Sequence, residues 1–120
     1  MSVKAQLDAL REAHPLCEVV AFADVDTGTV LTVSGYKSYK QEEMDWLCST
    51  AVDCLEGPDR DRSVTGVDRA IVATTRDVRV FLRSKSDPAD VLLCLCDPEI
   101  DLGSFTMEAT RVLSAIGEAT

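Results

Sequence analysis

One histidine, one tryptophan, two tyrosines and three phenylalanines are all that 120 residues supply in imidazole and aromatic side chains. A histidine-assisted serine or cysteine nucleophile would have to use His14, which sits at the end of a predicted helix beside Pro15 and reads as a cap or surface residue. So few aromatic side chains leave no stacking platform for single-stranded nucleic acid. Basic residues are also in the minority, 12 Lys and Arg against 21 Asp and Glu, for a net charge of −9. That balance opposes a phosphate backbone or an anionic membrane as the main partner. Long apolar runs are missing, which excludes a membrane-spanning helix. The N-terminal residues lack the apolar core of an export signal, so a cytoplasmic location is expected. No phosphate-binding G-x-x-x-x-G-K-[ST] loop, dinucleotide G-x-G-x-x-G turn or G-x-S-x-G elbow occurs. A non-enzyme without cofactor or resident metal is the expectation. With only four Pro and six Gly, and 46% hydrophobic residues, the chain reads as one globular domain over residues 1–120.

Five cysteines are present, Cys17, Cys48, Cys54, Cys94 and Cys96, mostly inside apolar runs. Without an export signal an odd set of this kind reads as reduced thiols that pack as small hydrophobic side chains. Cys94 and Cys96 share a face of a predicted strand, but a zinc site needs two further ligands. Cys48 and Cys54 fall on different faces of a helix. Asp24-x-Asp26-x-Gly28 has glycine one position too early for a calcium loop and reads as a hairpin turn. Asp97, Glu99 and Asp101 stand where negative charge caps a helix N-terminus. Arg69, Arg76, Arg79, Arg83 and Lys85 form a local basic run broken only by Asp77. Such a run serves equally as edge protection on strands or as a partner-binding face.

Helical spacing over Ser2–Ala13 predicts a first helix with Ser2 as its cap. Val19–Ala23 and Val91–Cys96 are apolar without alternation, which suits strands covered on both faces at the centre of a sheet. Val30–Val33 pairs with the first strand through the Asp26-Thr27-Gly28 turn, and Ala70–Thr74 with Val78–Leu82 through Arg76-Asp77. A second helix runs from Gln41 to Leu55 with Gly57-Pro58 as its stop, and a last helix from about Leu102 to Glu118 is capped by Asp101. Between them, Glu56–Arg69 is polar and reads as a mobile surface loop. The order α-β-β-α-β-β-β-α predicts an α+β, three-layer α/β/α sandwich around a five-stranded, mostly antiparallel sheet. Ala70–Thr74 is apolar enough to be a hazard as an unpaired edge. Trp46, Val52 and Cys54 fall outside the main stripe of the second helix and give it additional apolar surface.

The element order, the turn Asp26-Thr27-Gly28 with Val30-Leu31 and Ser34-Gly35, and the closing run Asp97-Pro98-Glu99-Ile100-Asp101-Leu102-Gly103 together resemble the roadblock family of dynein light chains and their bacterial relatives. The resemblance covers essentially the whole chain. It implies a homodimer or heterodimer in which third strands pair edge to edge and second helices pack side by side. It further implies a non-catalytic partner or regulator of a small Ras-like GTPase. Carried onto this chain, it puts the interface on Met44, Leu47, Cys48, Ala51 and Leu55 and on Ala70, Ile71, Val72, Ala73 and Thr74. The long charged loop Glu56–Arg69 departs from the family pattern. The competing expectation is a small-ligand sensor of profilin or PAS/GAF type, which needs an apolar cavity.

Overall fold

The computed structural model describes residues 2–56 and 67–118. Its elements are α1 (Val3–Ala13), β1 (Cys17–Asp24), β2 (Thr29–Gly35), α2 (Gln41–Glu56), β3 (Arg69–Ala73), β4 (Val78–Arg83), β5 (Asp90–Cys96) and α3 (Leu102–Glu118). All strands join one sheet in the order β2-β1-β5-β4-β3, and every pairing is antiparallel. The two strands without alternation, β1 and β5, are therefore interior, because both of their faces must be kept from water.

Helices α1 and α3 cover one face. Leu7 and Leu10 of α1 and Phe105, Ala109, Leu113 and Ile116 of α3 pack on Val20, Phe22, Val80, Leu82, Leu92 and Cys94. Among the described residues α2 is the one helix on the opposite face, with Met44, Leu47, Cys48, Ala51, Val52 and Leu55 on Val19, Ala21, Phe81, Val91 and Leu93. Two irregularities modify the ladders. Opposite β5, Cys17 aligns with Cys96 and Val19 with Leu95, so Glu18 is an extra residue in β1. Opposite β1, Thr32 aligns with Phe22 and Val30 with Ala23, so Leu31 is an extra residue in β2. Each bulge reverses the alternation of side chains beyond it.

Local chemistry fixes the element ends. Ser2 Oγ accepts the Ala5 amide at 3.1 Å, and Asp101 Oδ1 accepts the Ser104 amide at 3.2 Å, so both expected caps form. Asp24 Oδ1 accepts the Asp26 amide at 2.8 Å, and Gly28 takes φ 67°, which completes the β1–β2 turn. Thr74, expected in the third strand, lies one residue past its end. Its Oγ1 accepts the amides of Arg76 and Asp77 at 3.1 and 3.0 Å, and this side-chain turn ends the strand at Ala73. Of the expected loop Glu56–Arg69, Glu56 ends α2 and Arg69 opens β3, while residues 57–66, with the Gly57-Pro58 stop, lie outside the described residues.

Arg83 is a buried cation, 8% exposed. It donates to the carbonyls of Val67 (3.2 Å), Pro88 (3.1 Å) and Leu55 (3.2 Å), and its Nη2 lies 3.3 Å from Glu56 Oε2. Removing the guanidinium takes this donor from three carbonyls and the counter-charge from the Glu56 carboxylate, whose side chain is 5% exposed. Arg83→Ala is therefore expected to cost about 3 kcal/mol in urea denaturation.

Asp8 ties α1 to β2 by accepting from Lys4 Nζ at 2.8 Å and from Ser34 Oγ, which in turn accepts from Arg11 Nε at 3.1 Å. Those hydrogen bonds hold the Asp8 carboxyl below its ordinary value. A depressed carboxylate contributes stability above its unfolded-state pKa and loses it as pH falls through the folded-state value. Asp8→Asn should thus be less stable than the parent at pH 7, and the difference should vanish in acid thermal melts.

Candidate interaction surface

Antiparallel ladders alternate residues that bond the neighbouring strand with residues whose amide and carbonyl face away. The Thr74 amide donates to the Asp77 carbonyl, and the Arg83 amide to the Asp68 carbonyl, both at 2.8 Å. With the register Val72↔Arg79 and Ala70↔Phe81, the even-numbered residues of β3 bond β4. Arg69, Ile71 and Ala73 then point their backbone N–H and C=O groups outward along an edge with no neighbouring strand among the described residues. This edge runs without a bulge against β4, whereas the other edge strand, β2, is interrupted at Leu31. A bulge disfavours further pairing, so β3 is the edge better suited to accept a strand.

The helix beside this edge is α2. Met44, Leu47, Cys48, Ala51 and Leu55 are buried against their own sheet. Their side chains are consumed within the chain, because α2 is the one described helix on that face. Val52 is buried as well, and Cys54 is half-buried against the same core. Trp46 is different, 54% exposed. Its ring lies 4.6 Å from the Arg79 guanidinium carbon, and Arg79 Nε is 3.3 Å from Asp77 Oδ1. Arg79 is opposite Val72 in the β3–β4 register, so this stack lies toward the β3 edge. A surface groove of about 410 Å³ borders the stack over β1, β5 and β4, lined by Trp46, Arg79, Val19 and Leu95 together with Glu42 and Glu43. On β3 itself Ile71 is 42% exposed, while Ala70 and Val72 are half-buried under α2.

The spacing of Gln41–Leu55 located the inward stripe of α2 but did not identify the surface left for a partner. Trp46 was legible as an apolar residue off that stripe; its pairing with Arg79 was not, because the two are 33 positions apart in the chain. Of the basic run, Arg79 and Arg83 are engaged internally, whereas Arg69, Arg76 and Lys85 are exposed.

The remaining candidates resolve into structural roles. His14 Nε2 meets Glu108 Oε2 at 2.9 Å, and the ring stands edge-on to Phe105 at 5.2 Å between centroids. Asp97 Oδ1 accepts the Glu99 amide at 2.9 Å in the turn before α3. Among the described residues no group of three or more His, Cys, Asp or Glu side chains is arranged to hold a metal, and no helix is long and apolar enough to cross a membrane.

Comparison with known proteins separates sequence from fold. No family model matches the sequence, and no curated protein matches it. Solved structures do match. A Roadblock/LC7 domain from Streptomyces avermitilis superposes with a TM-score of 0.77 at 14% identity, covering 97% of this chain and 95% of that one. Myxococcus xanthus MglB gives 0.78 at 15% identity, with coverage of 98% and 93%. The chain has the roadblock/LC7 fold. Profilin IA from Acanthamoeba castellanii is more distant, with a TM-score of 0.59 at 11% identity over 98% of both chains. Within this fold the β3 edge has no neighbouring strand among the described residues, and Trp46 of α2 is exposed.

If Trp46 serves the surface and not the core, Trp46→Ala will lower stability by less than about 1 kcal/mol in thermal denaturation. Loss of about 3 kcal/mol or more would identify it as a core residue.

Proposed function

We propose that this protein is a non-catalytic dimeric interaction module. Two copies join through antiparallel pairing of their β3 edges, and the resulting platform binds and regulates a small Ras-like GTPase. The observation that carries the reading is the regular, outward-facing backbone of Arg69, Ile71 and Ala73 beside the exposed Trp46. Pairing with a second copy satisfies those backbone groups and shields Ile71. Across the two-fold, α2 would meet its counterpart through Trp46, Thr50 and Cys54, while Met44, Leu47, Cys48, Ala51 and Leu55 support that face from beneath. A solved structure of this fold is of MglB in a tetrameric arrangement, which supports self-association as a use of the fold. The roadblock resemblance supplies the GTPase as partner class, and the acid excess fits a protein partner better than a nucleic acid.

A proline at position 71 removes an outward N–H while leaving the bonds from Ala70 and Val72 to β4 in place. Ile71→Pro should therefore remain folded by circular dichroism and sediment as a monomer, as should Trp46→Glu; dimers that survive both changes refute this interface. Affinity capture with GDP and with a non-hydrolysable GTP analogue should enrich a Ras-like GTPase in one nucleotide state only. Absence of such a GTPase from both states removes the regulatory reading. The 410 Å³ groove also falls within the size range of small-molecule sites, which favours the ligand-sensor reading second. A metabolite that raises Tm in the Ile71→Pro monomer would bring that reading forward.

A further inference from the structure

Cys17, Cys94 and Cys96 form a cluster of thiols that the interaction surface does not use. All three are buried on the α1/α3 face of the sheet. In a regular strand Cys17 would share a face with Val19, which packs under α2. The extra residue Glu18 turns Cys17 to the opposite side, onto the face of Val20, Cys94 and Cys96. There Cys17 stands directly across from Cys96 in the β1–β5 register. Direct antiparallel partners have Cα atoms about 4.5–5.5 Å apart, inside the range of about 4.4–6.8 Å that a disulfide spans. The Cys17 S–H is directed to the Val19 carbonyl, with a sulfur–oxygen distance of 3.6 Å. Cys96 is 1% exposed, and it borders a surface cleft of about 400 Å³ that Leu16, Glu18, Tyr36 and Asp97 also line.

We propose that Cys17 and Cys96 are a redox-modification site that closes to an intrachain disulfide when the protein meets a hydroperoxide. The Cys96 sulfur attacks a peroxide oxygen, the O–O bond breaks, and the alcohol leaves, carrying the thiol proton. Cys96 is then a sulfenic acid. The Cys17 sulfur attacks it, the new S–S bond forms, and the hydroxyl departs with the Cys17 proton as water. Two electrons have passed from the sulfur pair to the peroxide, and no further reactant is required. The hydrogen bond to Cys17 and burial raise the Cys96 thiol above its ordinary range, and burial does the same to Cys94. The resting state is therefore the protonated, reduced one, and closure is slow compared with that of an exposed thiolate. Because the bond links distant parts of the chain through the central strands, it constrains the unfolded state strongly.

Treating the full chain with tert-butyl hydroperoxide tests this. The monomer mass should fall by about 2 Da, and non-reducing peptide mapping should join the peptides carrying Cys17 and Cys96. Tm should rise by about 5 °C or more and return on addition of dithiothreitol. Because Cys94 shares a tryptic peptide with Cys96, serine variants assign the bond. Cys94→Ser should still form it, whereas Cys17→Ser and Cys96→Ser should not, with all three folded by circular dichroism. Conversion to sulfinic or sulfonic acids without a cross-link overturns the proposal. So does a bond through Cys48 or Cys54, or one that persists in Cys96→Ser.

Discussion

Among the described residues two helices cover one face of this sheet and a single helix covers the other, and the packing of the molecule follows from that inequality. Helices α1 and α3 together close their side over Val20, Phe22, Val80 and Leu92. On the other side α2 is the one described helix over the centre of the sheet, and its apolar stripe turns inward. Trp46 is left outside, over Arg79, beside a groove that reaches Val19 and Leu95. A second helix on that face would complete the layer. In the proposed dimer the other copy would supply it and would meet the open strand edge as well.

The fold was legible because its strongest determinants are local. β1 and β5 lack alternation, and strands of that kind belong in the interior of a sheet. Gly28, Asp101 and Ser2 act through their own turns and caps, so neighbours in sequence sufficed to identify them. The end of β3 was misjudged by one residue because Thr74 has good strand propensity. Its hydroxyl instead closes the Asp77 turn, a choice decided by side-chain hydrogen bonding.

The interaction surface was less legible. Periodicity identifies which residues of a helix are apolar, but a buried face and a partner face look alike until the rest of the domain is placed. Met44, Leu47, Cys48, Ala51 and Leu55 have the pattern of a contact surface, and their own sheet already occupies it. The bulges at Glu18 and Leu31 leave no sequence signal of their own, since neither involves glycine. Yet one brings Cys17 to the face of Cys96, and the other makes β2 a poor template for a further strand. Arg83 likewise looks like one more member of a basic run until the carbonyls of Leu55, Val67 and Pro88 are seen around it.

That last cluster has a consequence for how the chain tolerates change. The Val67 amide bonds the Leu55 carbonyl at 3.3 Å, and Arg83 grips the carbonyls of both residues. The end of α2 and the approach to β3 are thereby fastened to each other and to β4 through a single guanidinium. A change at Arg83 would loosen the helix that covers the second face and the strand that forms the open edge together, so the two parts of the exposed surface share one anchor and cannot be tuned independently at that end.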